Sequence, residues 1–294
     1  MDIKLKILVI GMAVIVVALL LVLILVPSDT FKNDNDDGKL HVVATFFPLY
    51  DFTRNIADDK IELDILFTQT PHVSSFKPSD IQKINDADIL IINGMGFEPI
   101  IEDIIVASGN DHLLIIDTSK DIALQENDPH IWLDPINAIK QVTVIRNALV
   151  QNDPDNTELY VSNAQSYIAD LLELDETIRN TVTEFSQKDI IVFHSAFRYF
   201  TERYNLNQAA VFEETPGKEP SPSDLADIIN TVKELGITAL FAEPQFSPKI
   251  VETIANDLNI EVKVLNPIET GDLDEDTYID LMLDNLQELK SVLQ

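Results

Sequence analysis

Apolar residues recur at three- and four-residue steps across the middle of the chain, from Asp153 to about Gln187. This stripe consists of Tyr160, Ala164, Tyr167, Leu171, Leu174, Ile178, Val182 and Phe185. Such spacing is typical of one face of an α-helix. Asp153 is suited to cap this helix and Pro154 to begin it, because a proline at the first helical position loses no hydrogen bond. The helix would be roughly 50 Å long, which predicts either a rigid connection between two lobes or a coiled-coil partner helix.

Short apolar strands alternate with helices on both sides of this long helix. The predicted strands are 40–46, 61–67, 88–92 and 113–116 before it, and 190–193, 209–212, 238–242 and 261–265 after it. This alternation is typical of βαβ units, so it predicts α/β lobes with mostly parallel sheets flanked by helices. We expect a first lobe over 39–152, the long connecting helix over 153–187, and a second lobe over 188–294.

An uncharged and almost wholly apolar run occupies residues 7–26. A run of this length can span a bilayer core about 30 Å thick. No Ala-x-Ala cleavage pattern follows it, which favours an uncleaved anchor over a secretory signal. Lys4 and Lys6 precede the run, so the positive-inside rule places the remainder on the extracellular face of the cell membrane. We therefore expect residues 1–38 to form a transmembrane anchor followed by an acidic tether.

Charge and cysteine content exclude several classes of function. The chain has 20 Lys and Arg against 50 Asp and Glu, a formal net charge of −30. This excess of acidic residues argues against a basic surface that could follow a phosphate backbone, so we expect no nucleic acid as a partner. The acidity favours solubility, or a negative field that concentrates cations near the surface. The chain has no cysteine, which excludes disulfides, thiolate metal ligands and lipid attachment through cysteine.

Five histidines are the candidates for metal chemistry. His41 lies inside a predicted strand and His112 in a predicted surface loop, so we expect both to be structural or solvated. His72 and His194 directly follow predicted strands, where parallel sheets form ligand sites. His130 lies beside the single tryptophan of the chain. No His-Glu-x-x-His motif is present, so a metal site would need ligands from distant parts of the sequence.

Several short phrases occur in a fixed order between residues 40 and 292. They are 70–72 with 78–80, 128–135, 192–200, 219–222, 241–246 and 265–269. Together they resemble the zinc/manganese solute-binding proteins of ABC importers. The resemblance implies two α/β lobes joined by one long helix, with the metal held between the lobes. It further implies a monomeric binding protein, not an enzyme, that delivers its ion to an ABC permease and the associated ATPase.

The same resemblance implies a set of metal ligands. The family histidines correspond to His72 and His130 in the first lobe and to His194 in the second. Many members ligate through an Asp at the position of Asn266, whereas other zinc-binding members use a Glu that corresponds to Glu269. We therefore expect Glu269 as the fourth ligand, with Asn266 or water as the alternative. Three imidazoles and one carboxylate suit Zn²⁺, while Mn²⁺, the alternative ion, favours more oxygen ligands.

Two other functions fit the same residues. A zinc hydrolase could use His72, His130 and His194 as ligands and Glu269 as the general base, which would require an open position for water. An extracellular adhesin could share the fold. Three more acidic residues either lie at the lobe edges or support the metal ligands from behind, and a solvated role is the favoured expectation; they are Glu213, Glu214 and Glu243.

Overall fold

The computed structural model describes residues 38–70, 76–125, 128–213 and 220–294. The predicted membrane anchor lies outside these residues, and so do His72 and Glu214. Among the described residues, no helix combines the length and the apolar character needed to cross a membrane. Leu40–Gln294 forms one compact unit.

The N-terminal half is built on a parallel four-stranded sheet. Its strands are β1 Leu40–Ala44, β2 Ile61–Ile65, β3 Ile89–Ile92 and β4 Leu114–Asp117, in the order β2-β1-β3-β4. The connecting helices are α1 Phe47–Ala57, α2 Pro78–Asp86 and α3 Ile101–Ser108. Because every strand runs in the same direction, the carboxyl ends of the strands share one edge, as sheets built from βαβ units require. The four predicted strands of this half are confirmed, with ends that differ by one or two residues, and helices alternate with them as expected.

The C-terminal half repeats the alternation with two pairs of parallel strands. They are β5 Asp189–His194 with β6 Asn207–Glu213, and β7 Ala239–Ala242 with β8 Glu261–Val264. The helices of this half are α6 Arg198–Tyr204, α7 Pro222–Leu235, α8 Lys249–Leu258 and α9 Tyr278–Leu293. The helix α7 begins with a proline after the cap Ser221, whose hydroxyl accepts a hydrogen bond from the Asp224 amide. This capping explains why the helix begins at Pro222.

Two helices connect the halves. The first, α4 (Pro135–Asn152), is capped by Asp134, and the second, α5 (Thr157–Thr183), has 27 residues. The predicted start at Pro154 is wrong in detail, because Pro154–Asn156 forms a 3-10 turn before the α-helix begins. The predicted apolar stripe is buried along its whole length within the core of the chain itself. A coiled coil with a second chain is therefore not needed to cover it.

The last helix returns to the N-terminal half and ties the two halves together. The carboxylate of Asp51 in α1 is fully buried and accepts hydrogen bonds from the Tyr278 amide (3.1 Å) and the Tyr167 hydroxyl (2.9 Å). The Tyr278 hydroxyl donates to the carbonyl of Trp132 at 2.5 Å. Burial raises the pKa of Asp51, although the Arg54 guanidinium opposes the shift. These bonds connect α1, α5 and α9 directly below the segment that carries His130.

A second polar cluster lies between α5 and α6. The Asp175 carboxylate accepts two hydrogen bonds from Arg203, both at 2.8 Å, and one from the Tyr204 hydroxyl at 2.9 Å. Arg203 also lies 3.2 Å from Asp134, the cap of α4. Burial alone would raise the pKa of Asp175, but the hydrogen bonds from Arg203, Arg179 and Tyr204 outweigh it and lower the pKa. The long helix is thus fixed to the C-terminal half by a charged network as well as by apolar packing.

Candidate metal centre

Three of the sequence-predicted ligands meet at one buried point. The Nε2 atoms of His130 and His194 are 3.2 Å apart, and the Glu269 Oε1 atom lies 3.4 Å from the first and 3.8 Å from the second. All three side chains are at most 2 % exposed. Among the described residues, this is the group of His and acidic side chains arranged closely enough to hold a metal ion. His72 lies outside the described residues, so its role remains a prediction.

Two further carboxylates determine how the imidazoles are oriented. The Nδ1 of His130 lies 2.5 Å from the Asp128 Oδ1, and the Nδ1 of His194 lies 2.7 Å from both carboxylate oxygens of Glu243. A carboxylate can only accept, so each Nδ1 must carry the proton. When both rings are neutral, as metal binding requires, the two Nε2 atoms present their lone pairs to the same point. A cation at that point can accept both.

The carboxylates around the His130 ring raise its pKa. Burial alone would lower the pKa of His130, but the hydrogen bonds with Asp128 and Glu269 raise it to about 9. In the metal-free protein a proton therefore neutralises part of the negative charge at neutral pH. A metal ion must displace that proton, because the nitrogen that coordinates a metal must be deprotonated.

A tight turn after β8 places Glu269 in the cluster. The Asn266 Oδ1 accepts a hydrogen bond from the Ile268 amide at 2.8 Å, and Ile268 has a left-handed φ of 61°. The Trp132 indole donates to the Pro267 carbonyl at 2.8 Å and holds the turn from the other half of the molecule. The Asn266 side chain thus shapes the turn, whereas the Glu269 carboxylate reaches the histidines.

Aromatic rings surround the ligand cluster and exclude water from it. The His130 ring lies 5.2 Å from the Trp132 ring and 5.7 Å from the Phe97 ring, measured between centroids. On the other side, the Phe246 ring lies 6.0 Å from His194. An apolar wall lowers the local dielectric and strengthens each charge interaction inside it. The site is therefore suited to an ion that has lost its water.

Two expectations from the sequence are wrong. Glu243 and Glu213 are 4 % and 7 % exposed, so neither is solvated. Glu243 contacts the His194 ring through both its carboxylate oxygens. Asp128, which the sequence did not single out as a partner, contacts the His130 ring through Oδ1 alone. A signal for Glu243 was available, because it directly follows β7 just as His194 ends β5, and ligand sites of parallel sheets form at the carboxyl ends of strands.

The other two histidines lie away from this cluster. The His41 Nδ1 lies 2.9 Å from the Asp86 carbonyl and its Nε2 lies 3.1 Å from Asp64, in agreement with a structural role. His112 is exposed on the surface. His112 therefore offers a control for substitutions in the metal centre.

Comparison with known proteins gives the same family as the phrases in the sequence. The profile of the family described as "ZnuA: Zinc-uptake complex component A periplasmic" matches residues 42–292. The chain is 34 % identical to the high-affinity zinc uptake system protein ZnuA of Bacillus subtilis, over 88 % of this chain and 89 % of that protein. It is 32 % identical to the manganese-binding lipoprotein MntA of Halalkalibacterium halodurans, over 90 % and 92 % of the two chains.

Solved structures confirm the predicted fold class. The Zn(II)-bound ZnuA-like domain of Streptococcus pneumoniae AdcA is similar with a TM-score of 0.77 and 30 % identity, over 87 % of this chain and 99 % of that domain. The α/β architecture with parallel sheets, two lobes and one long connecting helix is therefore the one that this family uses. The protein belongs to the ZnuA family of zinc-uptake complex components.

Proposed function

We propose that this chain captures Zn²⁺ outside the membrane and delivers it to the permease and ATPase of an ABC importer. The observation that carries the proposal is the convergence of His130, His194 and Glu269 on one buried point. The relatives named for zinc uptake and zinc binding support the same ion. A component of an uptake complex binds its cargo and releases it unchanged, so the chain is a binding protein rather than a hydrolase.

The distances within the cluster support a tetrahedral ion. With bonds of about 2.0–2.1 Å, neighbouring ligand atoms around tetrahedral zinc lie about 3.3 Å apart. The separations among His130, His194 and Glu269 are 3.2, 3.4 and 3.8 Å. Small side-chain rotations would bring all three atoms to bonding distance. Two nitrogen atoms among these three ligands favour zinc over manganese, which prefers oxygen.

His72 is our proposed fourth ligand. The Thr70 hydroxyl donates to the second oxygen of Glu269 at 2.5 Å, so the chain leaves the described residues at the edge of the cluster. His72 is two residues further on, within a reach of about 7 Å. With four protein ligands the zinc would have no open position for a water molecule, which distinguishes cargo binding from hydrolysis.

The location of the binding domain forms part of the proposal. The apolar run 7–26 would anchor the protein, and the acidic segment after it would tether a monomeric domain of residues 39–294 at the extracellular face. Within that domain, 153–187 would connect the lobes 39–152 and 188–294. MntA is named a lipoprotein, whereas this chain has no cysteine to carry a lipid. A transmembrane anchor would serve the same purpose.

Metal analysis and titration test the proposal. Protein purified without added metal should contain zinc, and the stripped protein should bind one Zn²⁺ per chain in isothermal titration. His130→Ala should weaken binding at least about tenfold, as removal of a ligand or its supporting partners does in other metal sites. His112→Ala changes an exposed histidine and should have no effect. Equal affinity in the two variants would show that the metal binds elsewhere.

A further inference from the structure

Tyr199 joins the second lobe to the segment that leads to His130. Its ring is buried in the core at the start of α6. Its hydroxyl donates to the carbonyl of Ala123 at 2.9 Å and accepts from the amide of Gln125 at 3.1 Å. Both partners belong to the irregular stretch after β4, in the first lobe. One hydroxyl thus holds two backbone groups across the boundary between the lobes.

The segment that Tyr199 holds leads along the chain to His130, a proposed metal ligand. The Gln125 carbonyl accepts the amide of Asp128 at 2.8 Å, and the two residues form an isolated antiparallel bridge. The Asp128 carboxylate in turn accepts the amide and lies 2.5 Å from the Nδ1 of His130. Displacement of Gln125 would therefore move the carboxylate that orients the His130 ring.

A second segment of the first lobe approaches the same hydroxyl. The sulfur of Met95 lies 4.0 Å from the Tyr199 oxygen. Met95 has a left-handed φ of 56° between Gly94 and Gly96, which are left-handed as well. A non-glycine residue in this region is held there by its surroundings. The same loop presents Phe97 to the His130 ring, so Tyr199 contacts both segments that flank this imidazole.

We propose that the Tyr199 hydroxyl is a latch between the lobes that sets how fast the bound metal leaves. The latch consists of Tyr199 and the backbone of Ala123 and Gln125. The lobes cannot separate without breaking both of its hydrogen bonds, and His130 cannot keep its orientation once Gln125 moves. Tyr199 is thus a positioning residue, which acts on the ion through Asp128 and His130. This inference rests on the proposed function.

The matched test removes one hydroxyl at the latch and one elsewhere. Tyr199→Phe keeps the buried ring and deletes the two bonds. Tyr160→Phe is the control, because the Tyr160 ring is also buried and its hydroxyl donates to Asp153 at the start of the long helix, away from the metal centre. Each variant should shift the midpoint of urea unfolding modestly, because each loses hydrogen bonding of a buried tyrosine hydroxyl. Stability alone therefore does not separate the variants, whereas the kinetics of the metal should.

The experiment measures zinc association and release for the full-length protein by stopped flow, with excess chromophoric chelator to follow release. Tyr199→Phe should raise the release rate about tenfold, the low end of the loss seen when supporting partners of metal ligands are removed. Its association rate should stay unchanged, and Tyr160→Phe should change neither rate. An unchanged release rate in Tyr199→Phe, or an equal rise in both variants, would overturn the latch. Failure of the wild-type protein to bind zinc would instead overturn the proposed function, and the latch with it.

Discussion

Substitution of Glu269 by Gln tests which side chain completes the metal centre, because Gln keeps the shape of Glu and removes its charge. The comparison variant is Asn266→Ala, which removes the other candidate ligand. The two side chains have different tasks in the structure. Glu269 lies within 3.8 Å of both imidazoles, whereas the Asn266 oxygen accepts the amide of Ile268. We therefore expect Glu269→Gln to weaken zinc binding far more than Asn266→Ala.

The size of the effect follows from the charge that is lost. Two unit charges 4 Å apart interact by about 4 kcal/mol at an effective dielectric constant of about 20. An ion bound among His130, His194 and Glu269 would be closer than that to the carboxylate. The amide oxygen of Gln retains part of the attraction, so we expect a net loss of about 3 kcal/mol, or about a hundredfold in affinity. Asn266→Ala removes one hydrogen bond of the turn, worth about 1 kcal/mol of stability.

The assay is competition for zinc against a chelator of known affinity, with the urea unfolding of the metal-free variants as a control. Glu269→Gln should lower the stability of the metal-free protein, because it removes one carboxylate partner of the protonated His130. Affinities are therefore compared only under conditions in which the urea curve shows each variant to be folded. A greater loss of affinity in Asn266→Ala would refute the assignment of Glu269. The site would then have a position open to water, and the hydrolase hypothesis would regain its basis.

Three further predictions follow from the structure. Asp175→Asn should lower the free energy of unfolding by about 2 kcal/mol in urea titration, since Arg203 loses its charged acceptor while remaining partly solvated; an unchanged midpoint would contradict this. Gly94→Ala should lower the thermal stability clearly more than Gly109→Ala, because both glycines have a left-handed φ but only a Cβ at position 94 would meet another atom, the Asp117 Oδ1, at 2.2 Å. Equal midpoints of thermal unfolding would show that this contact relaxes. Zinc affinity should fall as the pH decreases below about 9, where His130 gains its proton, instead of near the usual 6.5. Calorimetric titration at pH 7 in two buffers of different ionisation enthalpy should detect the proton that zinc displaces, and an equal heat of binding in both buffers would refute this prediction.

The repeating pattern of the elements was readable from the sequence, while their ends were not. The apolar stripe of the long helix was correct from Tyr160 to Val182, since it depends only on the period of the helix. Its last position, Phe185, is buried in the core but lies beyond the end of the helix at Thr183. The start was wrong, because Pro154–Asn156 forms a 3-10 turn that hydrogen bonds near the cap determine. Such local bonding depends on side-chain geometry, which a spacing pattern does not contain.

The metal ligands could be identified from the sequence, whereas the carboxylates that orient them could not. His130, His194 and Glu269 were identified because each lies in a phrase of a known family. Glu243 and Asp128 were expected to be solvated or were passed over, since an acidic residue is usually exposed. Their burial is possible because each carboxylate finds an imidazole that donates to it. A buried charge requires a partner, and the sequence does not show which partner the fold supplies.

By itself, the sequence determined the periodic elements, the α/β class and the chemical types available for binding a metal. These properties are local, because they depend on the spacing and identity of nearby residues. Only the tertiary structure decided that His194 lies 3.2 Å from His130, 64 residues away, and that Glu243 supports His194 from 49 residues further on. Such contacts arise where the end of β5, the residue after β7 and the segment around His130 pack against one another. Their geometry depends on how the sheets and helices pack, so it exists only once the chain has folded.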